Sequence, residues 1–266
     1  MKNVLLLVHD DAGQEARLQG ALDLTRALSG HLHCVDVTPL PLVADTIWGA
    51  AAGTVLYDES EREERNLARL RERLAGEDVP WTCEALRGDF TSCLMGAVRT
   101  ADLVVLNRAL AGMPNPDMRT VAGNLLAQGD MLVLAVPEDC RGLDAAGPAL
   151  VAWDGSRAAM DTVRRAVPLL ALARSVTLFQ AGDLPDDAVT AAEAATYLAR
   201  HGIKPEVEIA KAAGTPADQI AAAAERIGAR YCVMGAYGHS RLREAVFGGV
   251  TQKMLGTAGL PLLLGH

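Results

Sequence analysis

The residues with the clearest chemical meaning are two pairs of glycines near the end of the chain. Gly235-Ala236-Tyr237-Gly238 is followed, nine residues on, by Gly248-Gly249-Val250-Thr251. A glycine lets the backbone approach an anion closely, with its N–H groups turned inward and no Cβ in the way. Gly248-Gly249 falls where a helix is expected to start, and there free N–H groups and the helix dipole favour phosphate. The two pieces together can cradle one polyphosphate. The alternative is that the glycines only turn the chain between a strand and a helix; four at this spacing after a buried strand weigh against it. Within the loop, His239 can touch a ligand or stand in water. Arg241 and Arg243 can pair with phosphate, or with Glu244 and a neighbouring domain. Asp154 reads as a hydrogen-bond acceptor beside a ligand rather than a catalytic base. No nucleophile elbow, Walker lysine, C-x-x-C pair or water-activating constellation accompanies it.

The elements that must hold these residues follow from the pattern around them. Ala149–Trp153 is an apolar run that stops at Asp154-Gly155-Ser156, and Ser156 is placed to cap a helix over 157–173. Strands are expected at 176–179 and 206–209, with a helix over 185–200 between them. Thr215 and Pro216 open a further helix as N-cap and first residue. A fourth strand at 231–234 runs into Gly235, a helix lies within 240–256, and a last strand covers 260–264. Buried strands alternating with amphipathic helices indicate a parallel sheet covered on both faces, an α/β doubly wound fold. Such sheets bind ligands beyond the carboxyl ends of their strands, which is where the first glycine pair falls.

The first half repeats this order, with strands at 4–8, 31–37, 81–86, 102–106 and 131–136 and helices at 14–29, 60–76, 91–100 and 118–128. Asp10 matches Asp154, 144 residues later, whereas Asn107 matches Gly235, 128 residues later. The first half therefore carries 16 extra residues, which fall within Thr38–Asp58. With Pro39, Pro41, Gly49, Gly53, Trp48 and Tyr57, that segment reads as a surface loop packed on the other half, or as a lid or interaction arm. The domains are expected at 1–138 and 148–266, joined by a polar stretch with Gly142, Gly147 and Pro148. The glycine loop is lost from the first copy. Asn107-Arg108-Ala109-Leu110 and Thr120-Val121-Ala122-Gly123 put Cβ atoms where phosphate needs bare backbone, so no phosphate ligand is expected there. Asp10 leaves room for another small ligand.

On these residues the second half resembles a universal stress protein domain, and the whole chain a tandem one. ATP-binding members of that family carry G-x2-G-x9-G-[ST] after the fourth strand and an aspartate after the first. The resemblance implies two tandem Rossmann-like five-stranded parallel sheets in the order 3-2-1-4-5, packed as a homodimer or internal pseudo-dimer through their last strands. It also implies an adenine nucleotide, ATP or ADP with or without magnesium, held by Ala152, Trp153, Asp154, Gln180, Gly235, Gly238, His239, Gly248, Gly249, Val250 and Thr251. Asp154 would lie beside the adenosine, backbone near Gln180 against the base, and the glycines along ribose and phosphates. The chain departs from the family at Gly249, where a serine or threonine is usual; Thr251 is the nearest substitute. The implied role is stress response or regulation with at most weak ATPase activity. A nucleotide-free module that binds a protein partner, and a slow ATP hydrolase, stand as the other readings.

Composition narrows the rest. Of 266 residues, 50% are hydrophobic and only 4% aromatic, so the cores must be aliphatic. A net charge of −8 argues against general nucleic-acid binding. No apolar run reaches the ~18 residues of a membrane span. The apolar start, Val4–Val8, ends at His9-Asp10-Asp11 and fits a buried strand better than a signal peptide. The five cysteines, odd in number, read as reduced cytoplasmic thiols packed as small apolar residues. His31, His33 and Cys34 read as ordinary strand residues, since Cys34 must face away from the two histidines.

Overall fold

The computed structural model of the protein describes residues 1–39, 49–108, 118–129, 131–211, 213–236 and 248–266. The first half runs β1 (Asn3–Val8), α1 (Gln14–Leu28), β2 (His31–Pro39), α2 (Gly49–Leu74), β3 (Trp81–Gly88), α3 (Phe90–Ala97), β4 (Leu103–Asn107), α4 (Met118–Gly129) and β5 (Leu132–Val136). One 3-10 turn, Val98–Thr100, follows α3. The second half runs β6 (Ala149–Trp153), α5 (Arg157–Leu170), β7 (Val176–Ala181), α6 (Ala191–Arg200), β8 (Glu206–Ala210), α7 (Pro216–Ile227), β9 (Tyr231–Gly235), α8 (Gly249–Thr257) and β10 (Leu262–Gly265).

Each half is a parallel sheet in the expected 3-2-1-4-5 order. The two are one ten-stranded sheet, β3-β2-β1-β4-β5-β10-β9-β6-β7-β8. They join where β10 pairs antiparallel with β5, Leu263 opposite Leu134 with Leu262–Ala135 and Leu264–Val133 on either side. Because that contact is antiparallel and all the others are parallel, the carboxyl ends of the two halves open at opposite ends of the sheet. Side chains alternate across the junction. Leu134 and Leu263 enter the core on one face, and Val133, Ala135, Leu262 and Leu264 enter the core on the other. The buried lengths of β1, β4, β5, β6 and β9 are apolar, save Asn107 at the end of β4, because both of their faces are covered by helices.

Two expectations change. Residues 49–58 of the segment that holds the 16 additional residues are helix, not loop. α2 has 26 residues where its counterpart α6 has 10, so the helix itself absorbs the insertion and begins at Gly49. The remainder of the segment, 40–48, lies outside the described residues. In the second half the helix expected from 185 starts only at Ala191. Thr190 and Glu193 form a reciprocal capping box that fixes this start, each side chain bonding the other's backbone N–H. Among the described residues no helix is long and apolar enough to cross a membrane.

Candidate functional site

The carboxyl ends of β6 and β9 and the start of α8 enclose a cleft of about 340 Å³. That size lies within the range of roughly 300–1,000 Å³ usual for small-molecule sites. Eight of the sequence-selected residues line it together: Ala152, Trp153, Asp154, Gly235, Gly248, Gly249, Val250 and Thr251. Gly238 and His239, with Arg241 and Arg243, lie outside the described residues. Gln180 stands apart. It is buried, its Nε2 donates to the Gly182 carbonyl at 2.8 Å, and Ala181, one residue on, reaches the cleft instead. Pro216, Ile220 and Met234 complete the wall. The spacing that set Pro216 at the first turn of α7 was the available signal for it, since that turn also follows a strand's carboxyl end.

The floor is built by close packing. The Trp153 indole N–H donates to the Val189 carbonyl at 3.0 Å, and Val189 N–H donates to the Gly155 carbonyl at 3.1 Å. The segment before α6 is thereby tied down over the end of β6. Gly155 has φ +69°, and a Cβ there would meet Ala188 and the Val189 carbonyl, so only glycine fits. Asp154 is exposed, and its Oδ1 accepts from Ser156 N–H at 3.0 Å while Ser156 caps α5 by accepting from Ala159 N–H at 3.1 Å. One carboxylate oxygen of Asp154 is thus spent on orienting the loop.

The glycines of the cleft differ in kind. On Gly235 a Cβ would stand 2.6 Å from Ala159 N, so its bareness serves the contact between β9 and α5. Around Gly248 and Gly249 a Cβ would meet nothing within 4 Å among the described residues. Gly248 has φ −58° and ψ 154°, a conformation open to any residue. α5, α6 and α7 begin with side-chain caps from Ser156, Thr190 and Thr215. α8 begins at Gly248 with no side-chain cap, so its first-turn N–H groups are left for another acceptor. The wall is mostly apolar, with the carboxylate of Asp154 on one side and the uncapped start of α8 on the other.

The matching end of the first half is filled from within. Asp10 follows β1 as Asp154 follows β6, but Arg62 and Arg69 of α2 reach its Oδ2 at 2.9 and 3.4 Å. The Arg62 hydrogen bond holds this carboxyl below the usual carboxylate range, against a smaller opposing effect of burial. Buried Glu63 meets His9 Nδ1 at 2.8 Å. Burial works against a charged His9 ring, but the hydrogen bond and charge of Glu63 outweigh it and raise the pKa. Arg17 and Asp11 form a buried ion pair at 2.8 Å. Asp36, at the end of β2, is buried with Oδ1 unbonded; burial and the nearby Glu63 charge push its pKa up to about 6. Asn107 occupies the place of Gly235, and its buried amide lies where a Cβ on Gly13 would be. The bare position has moved from the strand to the helix start. This polar cluster escaped the sequence reading because Asp36 and Glu63 look like solvated positions until α2 is laid over them.

On β2, His31 and His33 each meet a residue of β3. His31 faces Thr82 at 3.1 Å, and His33 faces Glu84 at 3.4 Å. Among the described residues no cluster is arranged to hold a metal ion.

Comparison with known proteins follows the same lines. A universal stress protein from Archaeoglobus fulgidus DSM 4304 has the same fold, with TM-score 0.76 at 16% identity over 99% of this chain and 97% of that one. A protein of unknown function from Pseudomonas aeruginosa PAO1 aligns with TM-score 0.55 at 16% identity over 100% of this chain and 92% of that one. At such identities the likeness is one of fold. No curated protein matches the chain by sequence. The universal stress protein family model matches residues 147–265, the half that carries the glycine loop and the cleft, and this half of the chain belongs to that family.

Proposed function

We propose that the second half binds an adenine nucleotide, ATP or ADP, and that the protein acts in stress response or regulation rather than as a catalyst. The observation that carries the reading is the pair Gly248-Gly249. Neither packing among the described residues nor backbone conformation requires glycine at these positions, yet they open the uncapped N-terminus of α8 onto the cleft. A ligand whose anionic group comes close to that backbone supplies the missing reason. The apolar wall of Trp153, Ala181, Ile220 and Met234 suits a flat base, and Asp154 suits sugar hydroxyls. Loss of the family hydroxyl at Gly249 costs one hydrogen bond of about 0.5–1.5 kcal/mol, roughly two- to twelve-fold in affinity. That weakens phosphate binding without removing it. The first half takes no nucleotide in this reading, because Arg62, Arg69 and Glu63 already occupy its equivalent end.

Titration of the purified protein with ATP and with ADP, followed by calorimetry, tests the proposal. One site per chain is expected, in the second half, with released phosphate at background. No heat or protection at millimolar nucleotide would remove the reading and leave a nucleotide-free interaction module, which the Gly249 departure favours.

A further inference from the structure

The register of β2 and β3 sets two cysteines side by side, Cys34 directly opposite Cys83. Partners in register point to the same face of the sheet. Here that face is the one covered by Leu67, Leu70 and Leu74 of α2. Cys34 is fully buried beneath them. Cys83 is half-buried on β3, the outer strand of the ten-stranded sheet, where one flank has no neighbouring strand. Arg71 of α2, next to Leu70 at the rim of the same packing, interacts with the Cys83 thiol.

We propose that Cys83 and Cys34 form a redox modification site, oxidised by a small hydroperoxide to a cross-strand disulfide and restored by thiol reductant. Neighbouring strands lie about 4.7–4.9 Å apart, inside the roughly 4.4–6.8 Å between the Cα atoms of a disulfide, so cysteines facing each other in register are within bridging reach. The roles of the two sulfurs differ. The hydrogen bond from Cys34 lowers the Cys83 thiol pKa, with the Arg71 charge adding to it and partial burial opposing. The same contact, together with burial, raises that of Cys34. Cys83 is therefore the attacking thiolate. Its sulfur attacks one peroxide oxygen, an S–O bond forms as the O–O bond breaks, and the departing hydroxide takes up the thiol's proton as water. Cys34 then attacks the Cys83 sulfenic acid. An S–S bond forms, the S–O bond breaks, and the leaving hydroxide carries away the Cys34 proton as a second water. Two thiols are oxidised and one peroxide is reduced. The remaining cysteines lack this arrangement. Cys232 is buried, with its thiol pKa pushed up to about 12 by burial, and the Cys140 thiol donates to the Gly142 carbonyl at 3.1 Å.

The test is treatment of the reduced full-length protein with hydrogen peroxide near stoichiometry, alkylation of the remaining thiols and peptide mapping. The expected product joins the peptide carrying Cys34 to that carrying Cys83, disappears with dithiothreitol, and leaves the other three cysteines alkylated. Arg71→Gln should slow its formation roughly three- to tenfold. Cys34→Ala should leave a sulfenic acid on Cys83 that dimedone labels. Cys83→Ser should give neither the cross-link nor the dimedone adduct, and should that substitution alter the fold, Cys34→Ala still decides, since its dimedone adduct needs only Cys83. Alkylation of both residues at undiminished yield after peroxide, or first oxidation at Cys93 or Cys140, overturns the proposal.

Discussion

A Cβ on Gly235 would stand 2.6 Å from the amide nitrogen of Ala159, whereas one on Gly249 would meet nothing among the described residues. Two glycines of one sequence motif therefore answer to different forces. Gly235→Val should destabilise the fold by at least about 1–3 kcal/mol, because β9 and α5 must separate to admit the side chain; denaturant melts read this directly. In the first half Asp36 is the exposed nerve. Its carboxyl is buried, with one oxygen unbonded and Glu63 nearby, and its pKa rises from 3.8 to about 6. An acid raised in the folded state favours the folded state while protonated, so its penalty is absent at low pH and grows as pH rises from 3.8 through 6. Asp36→Asn should thus stabilise the protein by about 1–3 kcal/mol above pH 7, with the gain vanishing below about pH 4. Melts of both proteins at pH 4 and 8 check it, and an equal gain at both would show that the charge is not the cause. Asp154 and the glycine loop were legible in the sequence because their spacing is local. Asp36, Glu63 and the exchange of bare positions between Asn107 and Gly13 were not, because they depend on which elements meet.

At the scale of elements, the cap residues marked the helix starts where they were used, and the start of α6 was misplaced where Pro185 stood in for the T-x-x-E box that follows it. Ser156 and Thr215 mark the starts of α5 and α7 as expected. Pro185 suggested an early start for α6, but the Thr190–Glu193 capping box holds it to Ala191. Gly49 and Gly53 suggested a loop, yet the alanines at 50–52 favour helix, and α2 continues through both glycines. The long helix carries Arg62, Glu63, Asn66 and Arg69 over the end of β1, so α2 closes the first half's site instead of opening one. α8 is the opposite case, a helix whose start is left open. Gly249→Ser restores the hydroxyl that the family carries and should tighten nucleotide binding roughly two- to twelve-fold with little change in stability. Gly248→Val, also sterically free in the fold, should leave the melt near that of the native protein and weaken nucleotide binding at least about tenfold by standing where phosphate approaches. Calorimetric titration beside a melt separates these outcomes from plain unfolding; unchanged affinity in the valine variant would dissociate α8 from the ligand.

At the scale of the molecule, the repeat was visible in the order of elements, and the joining of the halves through their last strands was implied by the family resemblance alone, because nothing in the sequence of either half says what its last strand pairs with. The pairing of β5 with β10 turns two edge strands into the two innermost strands of ten. An apolar edge left open would be a site of association, and Leu134 and Leu263, both fully buried, show how completely this one is used. The junction is also bonded away from the ladder, where Arg108, just past β4, donates to the Leu255 carbonyl of α8 at 3.2 Å. That contact ties the closed half to the helix that opens onto the cleft. Because the same side chains complete the cores of both halves, neither half can lose its last strand without exposing the other's. The protein should therefore unfold in one cooperative transition, with calorimetric and van't Hoff enthalpies in agreement. Leu134→Ala, a change confined to the first half, should lower that single transition by about 2–5 kcal/mol and should weaken nucleotide protection of the second half against proteolysis as well. Two resolved transitions, only one of them shifted by the substitution, would mean that the halves are joined by the sheet but stable without it.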